Sequence, residues 1–113
     1  MDIGVPTEIK TAERRVSLTP GVVGELASRG HHVVVESDAG LGAGFSDAEY
    51  KEAGAAIAGS ADEVFDTTEM IVKVKEPQAV ERARLRPHHT LFTYLHLAAD
   101  RPQTDDLLAS GAT

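Results

Sequence analysis

The sequence predicts an α/β fold, a mostly parallel sheet with helices on both faces in a Rossmann-like, incomplete arrangement, and three observations carry that reading. Short runs rich in β-branched and aromatic residues, DIGVP (2–6), HHVVVES (31–37), EMIVKVK (69–75) and HTLFTYL (89–95), are separated by segments with helical signals. Helix starts are marked by Thr19 before Pro20 and by the S-x-x-E pattern of Ser46 and Glu49. Glycines at 30, 54 and 111 stand where those helices must stop. Strands alternating with helices at this spacing favour a parallel sheet covered on both sides.

Each element follows in order. Residues 2–6 read as a strand stopped by Pro6, which has no N–H to give a ladder. After the polar loop TEIKTAERRVSL, Thr19 caps a helix with Pro at its first position, and Val22, Val23 and Leu26 share a face before Gly30. HHVVVES suits a buried strand, DAGLGAGF is a glycine-rich loop, and Ser46 opens a short helix closed by Gly54. AAIAG is a further short strand and SADEVFD a helical turn. EMIVKVK (69–75) is a strand, QAVERARLR a helix ended by Pro87, and HTLFTYL (89–95) a strand. Asp100 or Pro102 starts a helix that holds Leu107 and Leu108 and stops near Gly111. One more strand is due after that helix, so the chain looks cut at an element boundary.

Composition narrows the function. With 113 residues one core is expected, since domains commonly run to about 100–150 residues. Aromatic content of 4% makes that core aliphatic. A net charge of −7, with 11 basic residues among 18 acids, argues against nucleic acid, whose phosphates need clustered Lys and Arg. There is no cysteine for disulfides or thiolate metal sites. No apolar run approaches the ~20 residues of a membrane span, and Met1 leads straight into Asp2 and Ile3 without a signal peptide's pattern. A cytoplasmic protein with no membrane partner is the expectation.

Ligands of open parallel sheets bind beyond the carboxyl ends of the strands. Lys75 ends IVKVK, His96 ends LFTYL, and Arg14 and Arg15 lie in the loop leaving the first strand, so three strands deliver polar groups to one edge. Alternation puts Lys73 and Lys75 on one face, one of them free simply to edge the sheet. His96 is the group suited to proton transfer near neutral pH. His31, His32, His88 and His89 precede strands and read as exposed turn residues; no metal spacing such as H-E-x-x-H occurs. GLGAG (40–44) is a poor dinucleotide fingerprint, because position 45 is Phe and the next helix starts only after Ser46.

GVPTEIK, ERRVSLTP, SDAGLGAGFSDAEY, VKVKEP and LFTYLHLAAD, in that order, resemble the N-terminal part of the alanine dehydrogenase and pyridine nucleotide transhydrogenase family, from Met1 to Thr113. The resemblance implies a substrate domain facing a Rossmann NAD-binding domain, and the NAD-dependent interconversion of L-alanine and water with pyruvate and ammonium. It implies that Arg15 holds the substrate carboxylate, that Lys75 binds the carboxylate and carbonyl region, and that His96 is the general acid/base, with Tyr94 and Glu8 in support. The transhydrogenase branch lacks a histidine at the place of His96, so the LHLAA segment favours the dehydrogenase branch. It further implies that residues 1–113 are the substrate-domain portion, that the NAD-binding Rossmann domain and any NAD site are absent here, and that the chain alone is inactive. Pyruvate or L-alanine is the expected ligand, and a homo-oligomer or association with the missing NAD domain the expected assembly. The alternatives are a non-catalytic small-anion-binding or interaction module and a piece of a proton-translocating NAD(P) transhydrogenase alpha subunit.

Overall fold

The computed structural model describes residues 1–95 and 100–113. Five parallel strands, β1 (Asp2–Val5), β2 (His32–Glu36), β3 (Ala56–Ala58), β4 (Met70–Val72) and β5 (Thr90–Phe92), form one sheet in the order β3-β2-β1-β4-β5. Helices α1 (Pro20–Ser28), α2 (Asp47–Ala53), α3 (Ala61–Thr67), α4 (Ala79–Arg82) and α5 (Arg101–Ser110) fill the connections, with a 3-10 turn at Leu41–Ala43. The sheet grows outward from β1 to one side through β2 and β3, then returns to the other side of β1 through β4 and β5. The switch point, where a parallel sheet leaves a crevice beyond its carboxyl ends, is therefore the β1/β4 junction.

Strand alternation builds a core on each face. Ile3, Val5, Val33 and Val35 pack with Val23 of α1 and Tyr50 of α2; Val34, Ala58 and Ile71 pack with Val64 and Phe65 of α3 and with Leu85. The fully buried Tyr50 donates its hydroxyl to the Leu18 carbonyl at 2.7 Å, and burial pushes its pKa up to about 12. In β1, Gly4 admits α3: a Cβ there would meet the Thr68 hydroxyl and lie 2.8 Å from Val64 Cγ1.

The helix starts behave as their sequences predict. Thr19 accepts from Val22 N, and Ser46 and Glu49 form the full reciprocal capping box. Gly54 and Gly111 adopt left-handed conformations that stop α2 and α5.

Three expected elements are shorter. The strand expected over 69–75 ends at Val72: beyond it the Glu8 carboxylate takes the N–H groups of Val74 and Lys75, the first of which would face β1 and the second β5 if the strand continued. The strand expected over 89–95 spans only Thr90–Phe92, and Thr93 turns its hydroxyl to the Lys75 carbonyl. Instead of running to Pro87, α4 gives way after Arg82 to tighter turns, where His89 Nδ1 accepts the Arg86 N–H at 2.9 Å. His89 is thus a correction to the exposed-turn reading: it is 1% exposed, and its Nε2 donates to the Phe65 carbonyl at 2.7 Å. His31 is half-buried, whereas His32 and His88 are exposed as expected. At the far edge, Thr113 N donates to His89 O and Thr113 O accepts from Leu91 N, the paired bonds of a parallel bridge beside β5.

Candidate active site

The loop leaving β1 is pinned at its root. Pro6 is buried, Thr7 N donates to the Glu36 carboxylate at the end of β2 (2.9 Å), and Glu8 turns inward. Glu8 Oε1 accepts from the Lys73 ammonium (3.0 Å) and from Lys75 N (3.2 Å), while Oε2 accepts from Val74 N (3.0 Å). Lys73 also pairs at 3.0 Å with Glu81, whose other oxygen caps α4 by accepting from Gln78 N. These three charged side chains are at most 2% exposed. Burial on that scale is tolerated only because each polar atom has a charged or main-chain partner.

Lys75 follows in the same loop, held by Glu8 at its N–H and by Thr93 at its carbonyl. An ion pair between Lys10 and Glu76 ties the next residue back to the β1 loop. Among the described residues nothing hydrogen-bonds or ion-pairs with the Lys75 ammonium, which leaves its donors for a ligand.

Arg15 projects from the same β1 loop with a side chain that is 66% exposed. Its Nε and Nη2 donate to the two oxygens of Glu13 at 3.0 and 2.8 Å, a side-on bidentate pair. Those bonds, ahead of the weaker fields of Arg15 and Lys75, hold the Glu13 carboxyl at a pKa of about 2. In return, the Glu13 hydrogen bond raises the Arg15 pKa, with a smaller contribution from Glu8. Arg15, Glu13, Glu8 and Lys75 therefore share one electrostatic neighbourhood. A cleft of about 120 Å³ opens there, lined by Thr7, Glu8, Glu13, Arg15, Asp38 and Gly42 among others. That is well below the ~300 Å³ at which sites for drug-sized molecules begin. A larger cleft of about 240 Å³ between β5 and α5 is walled, among the described residues, by Leu91, Leu95, Leu107 and Leu108.

Of the residues expected from sequence, the fold brings Arg15, Lys75 and Glu8 together. Tyr94 is 78% exposed, and His96 lies outside the described residues. Sequence reasoning passed over Glu13 and Glu81, and it named Lys73 only as sharing a face with Lys75, whereas Lys73 is buried between Glu8 and Glu81. A carboxylate two positions before Arg15 was the available signal for Glu13; nothing local marks Lys73 and Glu81 as partners. Among the described residues no three His, Asp or Glu side chains converge as a metal site, and no helix is long and apolar enough to cross a membrane.

The glycine-rich loop is filled by protein. A Cβ on Gly42 would lie 3.0 Å from the Arg14 carbonyl, and one on Gly40 would strike the Tyr50 ring at 2.6 Å. Asp47 accepts from Ser37 Oγ and Asp38 N, and with Glu49 puts two acids in the first turn of α2. A dinucleotide pyrophosphate does not fit a helix start so capped and so acidic.

A model of the family described as "Alanine dehydrogenase/PNT, N-terminal domain" matches residues 4–113. The chain belongs to the alanine dehydrogenase/PNT family. Over all 113 residues it is 53% identical to the alanine dehydrogenase of Mycolicibacterium smegmatis and 56% to that of Halomonas elongata, spanning 30% of either relative's length. Among solved structures, an L-alanine dehydrogenase superposes on the whole chain with a TM-score of 0.97 at 49% identity, over 31% of its own chain. A transhydrogenase from Sinorhizobium meliloti follows it with a TM-score of 0.92 at 30% identity, over 33% of its chain. Both branches of the alanine dehydrogenase/PNT family thus share this sheet, and the identities place the chain nearer the dehydrogenases.

Proposed function

We propose that this chain is the amino-acid-binding portion of an alanine dehydrogenase, which catalyses the reversible, NAD-dependent oxidative deamination of L-alanine to pyruvate and ammonium in the cytoplasm. One observation carries the reading: at the β1/β4 switch point Arg15 lines a cleft with Glu8 and Glu13, Glu8 holds the Lys75 N–H, and the charge of Lys75 acts on Glu13, with no partner for the Lys75 ammonium among the described residues. With its side-on edge taken by Glu13, Arg15 offers the end-on edge, Nη1 and the second N–H of Nη2, to a substrate carboxylate. The Lys75 ammonium supplies a point charge for the substrate oxygen, stabilising the charge that grows there as the carbinolamine forms and collapses. His96 exchanges protons with the carbinolamine and imine, and Tyr94 supports it from the β5 exit. NAD is held by polypeptide outside these 113 residues, and no hydride step is assigned to the side chains described above.

The test is made on the complete polypeptide that carries this N-terminus. Purified protein should reduce NAD when given L-alanine, and oxidise NADH when given pyruvate and ammonium. Absence of both reactions, with hydride exchange between NADH and an NADP analogue in their place, would assign the chain to the transhydrogenase branch.

A further inference from the structure

We infer that Glu8, Lys73 and Glu81 form a buried charge triad that positions Lys75 for its ligand, so that all three are positioning residues of the candidate site; the inference rests on the function proposed above. The geometry is specific. Lys75 sits three residues beyond the end of β4, where no ladder with β1 fixes the backbone. Glu8 takes the place of the missing ladder by accepting the N–H groups of both Val74 and Lys75. A carboxylate pointed at two main-chain donors also needs a counter-charge once water is excluded, and Lys73 supplies it on the same oxygen that holds Lys75 N. Glu81 then fixes Lys73 from the other side and anchors the pair to the start of α4 through the Gln78 N–H. The β1 loop is locked around one ammonium together with the β4 loop, 65 residues later in sequence, and the α4 helix that follows it. Thr93 completes the hold on Lys75 at its carbonyl, so the residue is fixed at both peptide groups while its side chain stays free.

Substitution at Glu8 separates this role from general stability. Glu8→Gln keeps the size, yet its amide offers one acceptor oxygen to three donors and turns an NH₂ against the rest. Two measurements on the complete polypeptide read the result. Hydrogen exchange at Val74 and Lys75 should speed up by at least about tenfold, while β1 and β2 amides keep their rates. Pyruvate binding in the presence of NADH should weaken by about tenfold or more, but by less than about twofold when Lys75 is already Met, because residues acting through one another are not additive. Glu8→Asp, which keeps the charge, should recover part of both losses.

Equal weakening in the two Lys75 backgrounds would overturn the inference, as would unchanged exchange at Val74 and Lys75. Should Glu8→Gln raise exchange throughout β1 and β4, Glu81→Gln takes its place, since glutamine still serves the capping box and only the ion pair to Lys73 is lost. A change of the same pattern of roughly tenfold is then expected, as for one charged hydrogen bond removed. No change in either measurement would reject the triad. Wild-type protein that neither binds pyruvate nor reduces NAD with L-alanine would sink the proposed function instead, and the exchange rates would still decide whether Glu8 holds the loop.

Discussion

Glu13 holds Arg15 by the side-on edge of its guanidinium, with Nε and Nη2 donating at 3.0 and 2.8 Å, and the pair decides which edge of the arginine is presented. The Glu13 side chain is 7% exposed although Arg15 is open to solvent, so a seated carboxylate holds the guanidinium at its side-on edge. If Arg15 binds the substrate carboxylate, Arg15→Lys should fail even though the charge is kept, because an ammonium cannot satisfy Glu13 on one edge and a ligand on the other. Losing one edge of the guanidinium should raise KM for L-alanine by roughly tenfold or more. Steady-state kinetics on the complete enzyme would measure it; a lysine variant with normal KM would exclude Arg15 from the carboxylate site.

Glu13 itself should matter at all pH values where an enzyme of this kind is assayed. Its pKa is depressed from 4.5 to about 2, chiefly by the Arg15 hydrogen bond, so the interaction is complete above pH 4.5 and disappears only as pH falls through about 2. The pair therefore contributes no inflection to a pH–rate profile between pH 5 and 9. Glu13→Gln should raise KM by about tenfold with kcat nearly unchanged, as expected for uniform binding lost. An acid limb that vanishes in this variant would contradict the assignment.

The proposed roles of His96, Lys75 and Arg15 are separable by kinetics. His96→Ala should lower kcat by about 10²- to 10⁴-fold, the usual worth of a general acid/base. Lys75→Met should also lower kcat, by about 10²- to 10³-fold, because its charge acts on the oxygen as the transition state forms. Arg15→Ala should act mainly on KM. A kcat effect confined to Arg15 would exchange these roles.

Much of the fold was legible because its signals are local. Thr19-Pro20 and Ser46-x-x-Glu49 lie within one helical turn of the N–H groups they satisfy, and Val33, Val34 and Val35 alternate faces by geometry alone. What was not legible depends on partners far apart in sequence. V-K-V-K continues the strand pattern, and only Glu8, 65–67 residues earlier, shows why the strand stops at Val72 and why Lys73 is the buried lysine. His88 and His89 are adjacent and identical in type; burial of the second is decided by Phe65, 24 residues before it. Arg15 and Lys75 were within reach because both lie beyond the carboxyl ends of strands and Glu8 because of the family resemblance, but the burial of Lys73 between Glu8 and Glu81 was not.

Gly4 gives a test of the packing that sets the switch point. Gly4→Ala places a methyl against the Thr68 hydroxyl and Val64 Cγ1, neither of them the end of a long flexible side chain. Thr68 cannot turn aside freely, since its hydroxyl donates to the Val64 carbonyl at 2.7 Å. Overpacking of this kind costs about 1–3 kcal/mol, and Val64→Ala in the same protein should return part of it. Chemical denaturation would show the effect as a lower midpoint at constant slope. A Gly4→Ala protein as stable as the wild type would mean that α3 is not seated on β1 as described.

His89 makes stability depend on pH in a predictable direction. Burial lowers its pKa below 6.5, against a smaller opposing effect of the hydrogen bond to the Phe65 carbonyl. The folded state thus prefers neutral imidazole, with Nδ1 accepting from Arg86 N and Nε2 donating to Phe65 O. Above pH 6.5 neither state binds the proton and the contribution is complete. Below it the unfolded chain is protonated first, so stability falls with falling pH until the lowered folded pKa is passed. Protonation inside the fold would turn an N–H against the Arg86 N–H, two donors with no acceptor between them. His89→Leu should remove this part of the pH slope below about pH 6.5, and lower stability at pH 7.5 by about 1–3 kcal/mol through the partners left unpaired. Denaturation midpoints for wild type and variant across that range would decide it, and parallel curves would show that His89 is not the group that titrates.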